Sequence, residues 1–183
     1  MSEDQSLQGR LLVASPALVD PNFRRSVVLV VAHDDEGAVG LVLNRESETA
    51  VVDAVPELAE LVEPDALVSV GGPVQPEAVV VLAEWDDAEE AGSLVFGDVG
   101  LMGGEAELDE VVAATRRVRV FAGYAGWSGG QLELELGEPS WIVADPEHED
   151  VFDVDGDLWA TVLRRLGGAF GLLATMPENP NLN

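Results

Sequence analysis

Apolar residues along this chain come first in short β-branched runs separated by turn formers, and only later at helical spacing. Residues 11–14 open the pattern and stop at Pro16 and Asp20-Pro21-Asn22, both turn-prone. The polar residues 1–9 ahead of them predict a disordered tail, with order beginning near Arg10. Residues 26–33 and 37–44 are two further runs joined by Asp34-Asp35-Glu36-Gly37, which predicts a hairpin. Their nearly continuous apolar character predicts strands covered on both faces. Residues 51–62 change to helical spacing, with Pro56 suited to a first turn and Pro64 to a stop, so a helix is expected from about Pro56. Residues 67–70, 78–83 and 94–96 read as short strands, set apart by Gly71-Gly72-Pro73 and the acidic loop 86–90.

The second half mixes the two periods. Residues 105–115 begin acidic and continue with Leu108, Val111 and Val112, the pattern of a helix with favourable charges at its start. Residues 118–124 predict a buried strand. Residues 131–136 fit two readings: strict alternation makes a strand, whereas Leu132 and Leu136 four apart make a helix. Residues 141–144 predict a strand, 158–166 an amphipathic helix capped by Asp155 or Asp157, and 168–173 a return to the sheet. The sum is an α+β chain of mostly β character. No linker divides it, so one domain is expected over 10–183.

Composition narrows the chemistry. No apolar stretch approaches the roughly 18 residues of a membrane span, and the opening residues lack the features of a secretory signal; a cytoplasmic location is expected. Cysteine is absent, which excludes disulfides, thiolate metal sites and cysteine nucleophiles. All 9 basic residues are arginine, so lysine Schiff bases and the lysine of a phosphate loop are excluded as well. A net charge of −26 repels the phosphates of nucleic acid and argues against direct DNA binding, with Arg24-Arg25, Arg116-Arg117-Arg119 and Arg164-Arg165 as the only basic clusters to set against it.

Motifs for catalysis are incomplete. Gly126-Trp127-Ser128-Gly129-Gly130 matches the G-x-S-x-G nucleophile elbow, but the chain has only His33 and His148 to serve as base, and Asp145 with His148 makes a cramped partner pair. Asp153, Asp155, Gly156 and Asp157 depart from a calcium loop in the glycine position and in the missing bidentate glutamate. The histidines lack metal-ligand spacing; neither a metal nor a cofactor is expected. What remains is a binding reading. Glycines 123, 126, 129 and 130 follow a strand and could present amides to an anion, and Asn44-Arg45 at the end of the hairpin could hook one.

Several stretches together resemble one family, AlgH/YqgE: Leu12-Val13-Ala14-Ser15-Pro16, Asp20-Pro21-Asn22-Phe23, residues 37–45 ending in Asn44-Arg45, Gly71-Gly72-Pro73-Val74, residues 118–127 ending in Gly126-Trp127, Gly130-Gln131-Leu132-Glu133, Ser140-Trp141 and Leu158-Trp159. Glu46 in place of a proline and Ser128-Gly129 in the turn mark the high-GC Gram-positive branch. The resemblance implies an α+β fold with a bent, barrel-like, mostly antiparallel sheet and helices packed on it, and a helix over 131–136. It also implies a link to transcriptional regulation without a catalytic activity. The expected function is therefore a non-enzymatic regulatory or adaptor protein contacting a protein partner or a small anionic ligand. Asn44, Arg45, Gly71, Gly72, Tyr124, Gly126, Trp127 and Gln131 are the candidate contacts. A pocket protein or enzyme for an anionic small molecule, held by Arg45 and the glycine turn, is the alternative.

Overall fold

The β-branched runs pair as the hairpin signal predicts. In a computed structural model, which describes residues 1–178, β1 (Leu11–Ala14), β2 (Val27–Asp34) and β3 (Gly37–Val42) form an antiparallel meander. Successive side chains enter opposite faces, so Leu11, Val13, Val27 and Leu29 join one core cluster, while Leu12, Ala14, Val28 and Val30 join another. β4 (Glu46–Ala50) follows, then α1 (Val51–Ala54) and a 3-10 turn, Pro56–Leu61. The helix expected from Pro56 is thus broken in two at Val55. A proline disfavours helical geometry in the residue before it, and Val55 is non-helical (φ −137°, ψ 74°).

β5 (Leu67–Val70), β6 (Val74–Trp85), β7 (Ser93–Phe96) and β8 (Val99–Leu101) continue the chain. α2 (Leu108–Ala114) then runs into β9 (Thr115–Ser128), the long central strand that hydrogen-bonds to β3, β5 and β6. α3 (Gln131–Gly137) resolves the open period of this segment as a helix, with Leu132 buried and Leu134 exposed. β10 (Trp141–Ala144), α4 (His148–Phe152), α5 (Leu158–Leu166) and α6 (Gly168–Leu173) complete the described fold. Asp157, not Asp155, caps α5 by accepting from the Ala160 amide. Residues 168–173 do not return to the sheet. Gly167, in the left-handed region (φ 72°), ends α5 and turns the chain so that α6 packs back on it.

The strand order is β10-β1-β2-β3-β9-β6-β8-β7, with the β4-β5 pair attached through a parallel β5–β9 contact. The sheet is large and mostly antiparallel with helices packed on it, the α+β arrangement that the resemblance implies, and it is not closed into a barrel. β7 approaches β2, yet residues 8 and 9 lie between them: the Gly9 amide donates to Val30 O at 2.8 Å and Gln8 Nε2 to Leu94 O at 2.8 Å. The expected domain extends to 183; positions 179–183 lie outside the described residues. No helix among the described residues is long and apolar enough to cross a membrane.

Candidate functional site

The candidate residues divide into two groups on opposite sides of the Asp20–Arg25 loop. Asn44 clips that loop to the end of β3: its Oδ1 accepts from the Val27 amide (2.9 Å) and its Nδ2 donates to Arg25 O (2.8 Å). Arg45 is half-buried, and its guanidinium donates to the backbone oxygens of Asn44 and Arg24. Burial lowers its pKa from the usual arginine value, partly offset by the charge of Glu178. Neither Arg24 nor Arg45 has a carboxylate at ion-pair distance among the described residues, whereas Arg25 pairs with Asp157 at 3.1 Å.

The three arginines edge a trough. A cavity of about 450 Å³ is lined by Pro21, Arg24, Arg25, Arg45 and Glu178. A second, of about 270 Å³, shares Pro21 and Arg45 and continues to Val70, Gly72 and Pro73. Gly71 and Gly72 belong here by packing. A Cβ on Gly71 would stand 2.3 Å from Gly123 O, and one on Gly72 would stand 2.2 Å from the Tyr124 carbonyl carbon. Their role is the close approach of the segment after β5 to β9. Tyr124 meets Gly72 through its backbone, and it packs against the main core cluster.

Trp127 and Gln131 lie on the other side. Trp127 is buried, stacks with Phe23 (centroids 6.3 Å apart) and meets Trp141 edge-on at 6.1 Å. Both indole N–H groups donate to the same oxygen of Glu135, each at 2.9 Å. Gln131 is occupied too: its Oε1 accepts from the Ser128 amide at 3.0 Å, and its Nε2 donates to Glu135 at 3.1 Å. Gly126 is an exposed residue within β9 rather than in a turn. The glycine segment therefore offers Gly129 and Gly130 as its turn, and the Ser128 amide there is already taken by Gln131. Phe23 fills the aromatic side while Arg24 and Arg25 face the trough, so this one loop separates the two groups.

Histidine chemistry is committed elsewhere. His33 accepts the Leu7 amide on Nδ1 (2.9 Å) and pairs with Glu133 through Nε2 (2.7 Å), leaving no ring nitrogen to serve Ser128. His148 Nε2 lies 2.6 Å from Asp98 Oδ1, and with Glu84 these residues could converge on a metal ion. Arginines already neutralise the carboxylates: Arg117 Nε donates to Glu84 at 2.5 Å, and Arg116 bonds both Asp98 and Glu84. The hydrogen bond with Arg117 holds Glu84 below the ordinary carboxylate range, and that with His148 does the same for Asp98. This arrangement is a charge-balanced cross-link between strands.

Sequence reasoning passed over Arg24 and Arg25 as trough residues. The available signal was their adjacency to the Asp20-Pro21-Asn22 turn in a chain otherwise poor in cations. It named Arg119 only within the basic cluster 116–119, whereas burial lowers its pKa to about 10 and it donates to Ser69 Oγ, Val151 O and Leu43 O. Its partners come from three distant segments, a grouping invisible in one dimension.

A profile of the AlgH-like family matches residues 11–171. The UPF0301 protein of Streptomyces coelicolor is 43% identical over 100% of this chain and 98% of its own length. A UPF0301 protein of Thermobifida fusca is 45% identical, covering 97% of this chain and 96% of the relative. Among solved structures, a Corynebacterium diphtheriae protein matches with a TM-score of 0.85 at 29% identity, over 96% of this chain and 95% of that one. The solution structure of the AlgH protein from Pseudomonas aeruginosa matches with a TM-score of 0.72 at 29% identity, over 97% of each chain.

Proposed function

This chain belongs to the AlgH-like family, and from that premise we propose that it is a non-catalytic regulatory binding protein whose contact site is the Arg24–Arg45 end of the trough. The observation that carries this reading is the pair of cations, Arg24 and Arg45, without carboxylate partners among the described residues, one of them half-buried, in a chain with a net charge of −26. A desolvated guanidinium bound only to backbone oxygens retains donor capacity for a carboxylate or phosphate. The engagement of both ring nitrogens of His33, and of His148 Nε2 with Asp98 inside an arginine-neutralised network, supports a non-catalytic role. Any effect on transcription is then indirect, because the acidic surface repels DNA outside this small patch.

The test is a thermal-shift and calorimetric comparison of pyrophosphate, citrate and a nucleoside triphosphate at low salt. A true ligand at about 100 times its Kd raises the melting temperature by roughly 5–10 °C for a domain of this size. Arg24 is exposed, so Arg24→Ala should abolish the shift while leaving the unliganded melting temperature unchanged. A shift that survives Arg24→Ala, or none with any anion, overturns the reading.

A further inference from the structure

We infer that the ligand of this site is an amphipathic anion: a carboxylate or phosphate head held by Arg24 and Arg45, carrying an unbranched apolar tail that enters the adjoining cavity. The inference rests on the anion reading above and adds the tail. The supporting feature is a cavity of about 350 Å³ that shares Arg24, Arg25 and Glu178 with the arginine-lined recess. Its remaining wall is mostly apolar, built by Pro16, Leu18, Val19, Trp159, Met176 and Pro177, with Ser15 as its one polar residue. Its volume lies at the small end of the range for organic ligands. Val19 and Met176 are exposed at this rim, 75% and 43%, with no core to cover them.

Arg25 marks the boundary between the two halves. Its guanidinium lies 4.0 Å over the Trp159 ring, donates to Met176 O at 2.9 Å, and pairs with Asp157 at 3.1 Å. The charge is spent within the protein, so Arg25 presents a stacked, neutralised surface to the tail and leaves the head to its neighbours. Its backbone is left-handed (φ 55°), a conformation unfavourable for a non-glycine residue that persists where surroundings enforce it. Here the enforcement comes from those contacts and from Asn44 Nδ2 on Arg25 O. The result is a rigid polar-to-apolar step along one trough. Glu178 lines both cavities and opposes the head, so Glu178→Gln should tighten binding.

The experiment titrates the full chain with pyrophosphate as a tail-less anion, with hexanoate, octanoate and decanoate, with decyl phosphate, and with decyltrimethylammonium, each below its micelle concentration. Affinity should rise roughly tenfold for every two methylenes until the cavity is filled. The cationic amphiphile should bind far more weakly than decanoate. A gain confined to carboxylates or to the alkyl phosphate still supports the inference and identifies the head. Val19→Trp, made at an exposed position, should erase the dependence on chain length while leaving the response to pyrophosphate. Arg24-dependent anion binding with a flat chain-length response overturns this inference and leaves the anion site standing. No response to any anion overturns both. Equal binding of the cation, or chain-length dependence that survives Val19→Trp, overturns the tail site.

Discussion

Arg119 brings a positive charge into the interior and meets Ser69 Oγ and the carbonyls of Leu43 and Val151 instead of a carboxylate. Burial makes its charged form costlier than in water, yet with a pKa of about 10 it stays charged at neutral pH. It ties β9 to β5, the end of β3 and α4, and so removing it strands acceptors in three places. Arg119→Met should destabilise the fold by about 2–4 kcal/mol in urea unfolding, despite its apolar gain. A change below ~0.5 kcal/mol would show that the bonds are idle. Gly72→Ala should cost at least about 2 kcal/mol, because its Cβ would meet Tyr124 backbone at 2.2 Å. The same substitution at Gly126, where the nearest atom is 3.6 Å away, should be nearly neutral. Melting temperatures of the two variants separate packing glycines from a ligand cradle.

At the scale of elements, the network of Glu84, Asp98, Arg116, Arg117 and His148 joins β6, the β7–β8 turn, β9 and α4. Arg117 on Glu84 and His148 on Asp98 lower the pKa of each carboxylate in the folded chain below the ordinary values of 4.5 and 3.8. The unfolded state therefore binds protons first as pH falls. The network's contribution is complete above those ordinary values and is lost as pH drops through the lower folded ones. Glu84→Gln should accordingly lower the melting temperature most near about pH 6, with the gap to the native chain closing below about pH 4. A gap independent of pH would assign the effect to packing. Elements were legible where one period dominated, as in the β2–β3 hairpin and α5. β4 is polar and exposed along most of its length, so pairing with β5 makes it a strand where apolar pattern cannot. α6 carries a short apolar run that fits either period, and the Gly167 reversal places it on α5 rather than at a sheet edge.

For the whole molecule, 35 acidic residues against 9 basic ones make self-repulsion the main electrostatic term at neutral pH. Moving from about 0.05 to 1 M NaCl shortens the screening length from over 10 Å to about 3 Å, so the melting temperature should rise by several degrees. A fall would mean that the internal ion pairs outweigh the net charge. The sequence by itself determined the α+β class, the hairpin, the absence of cysteine and lysine chemistry, and the overall acidity, because these follow from composition and from periods spanning a few residues. It also placed Asn44 and Arg45 at the end of the hairpin. Only the tertiary structure decided that Trp127 and Gln131 face away from them, that Gly71 and Gly72 serve close packing, and that Arg24 joins Arg45 at one trough. Those relations depend on which strands become neighbours and on which side of the sheet the Asp20–Arg25 loop crosses. Contacts between residues far apart in the chain, such as Arg25 with Met176, set both, and no local pattern encodes them.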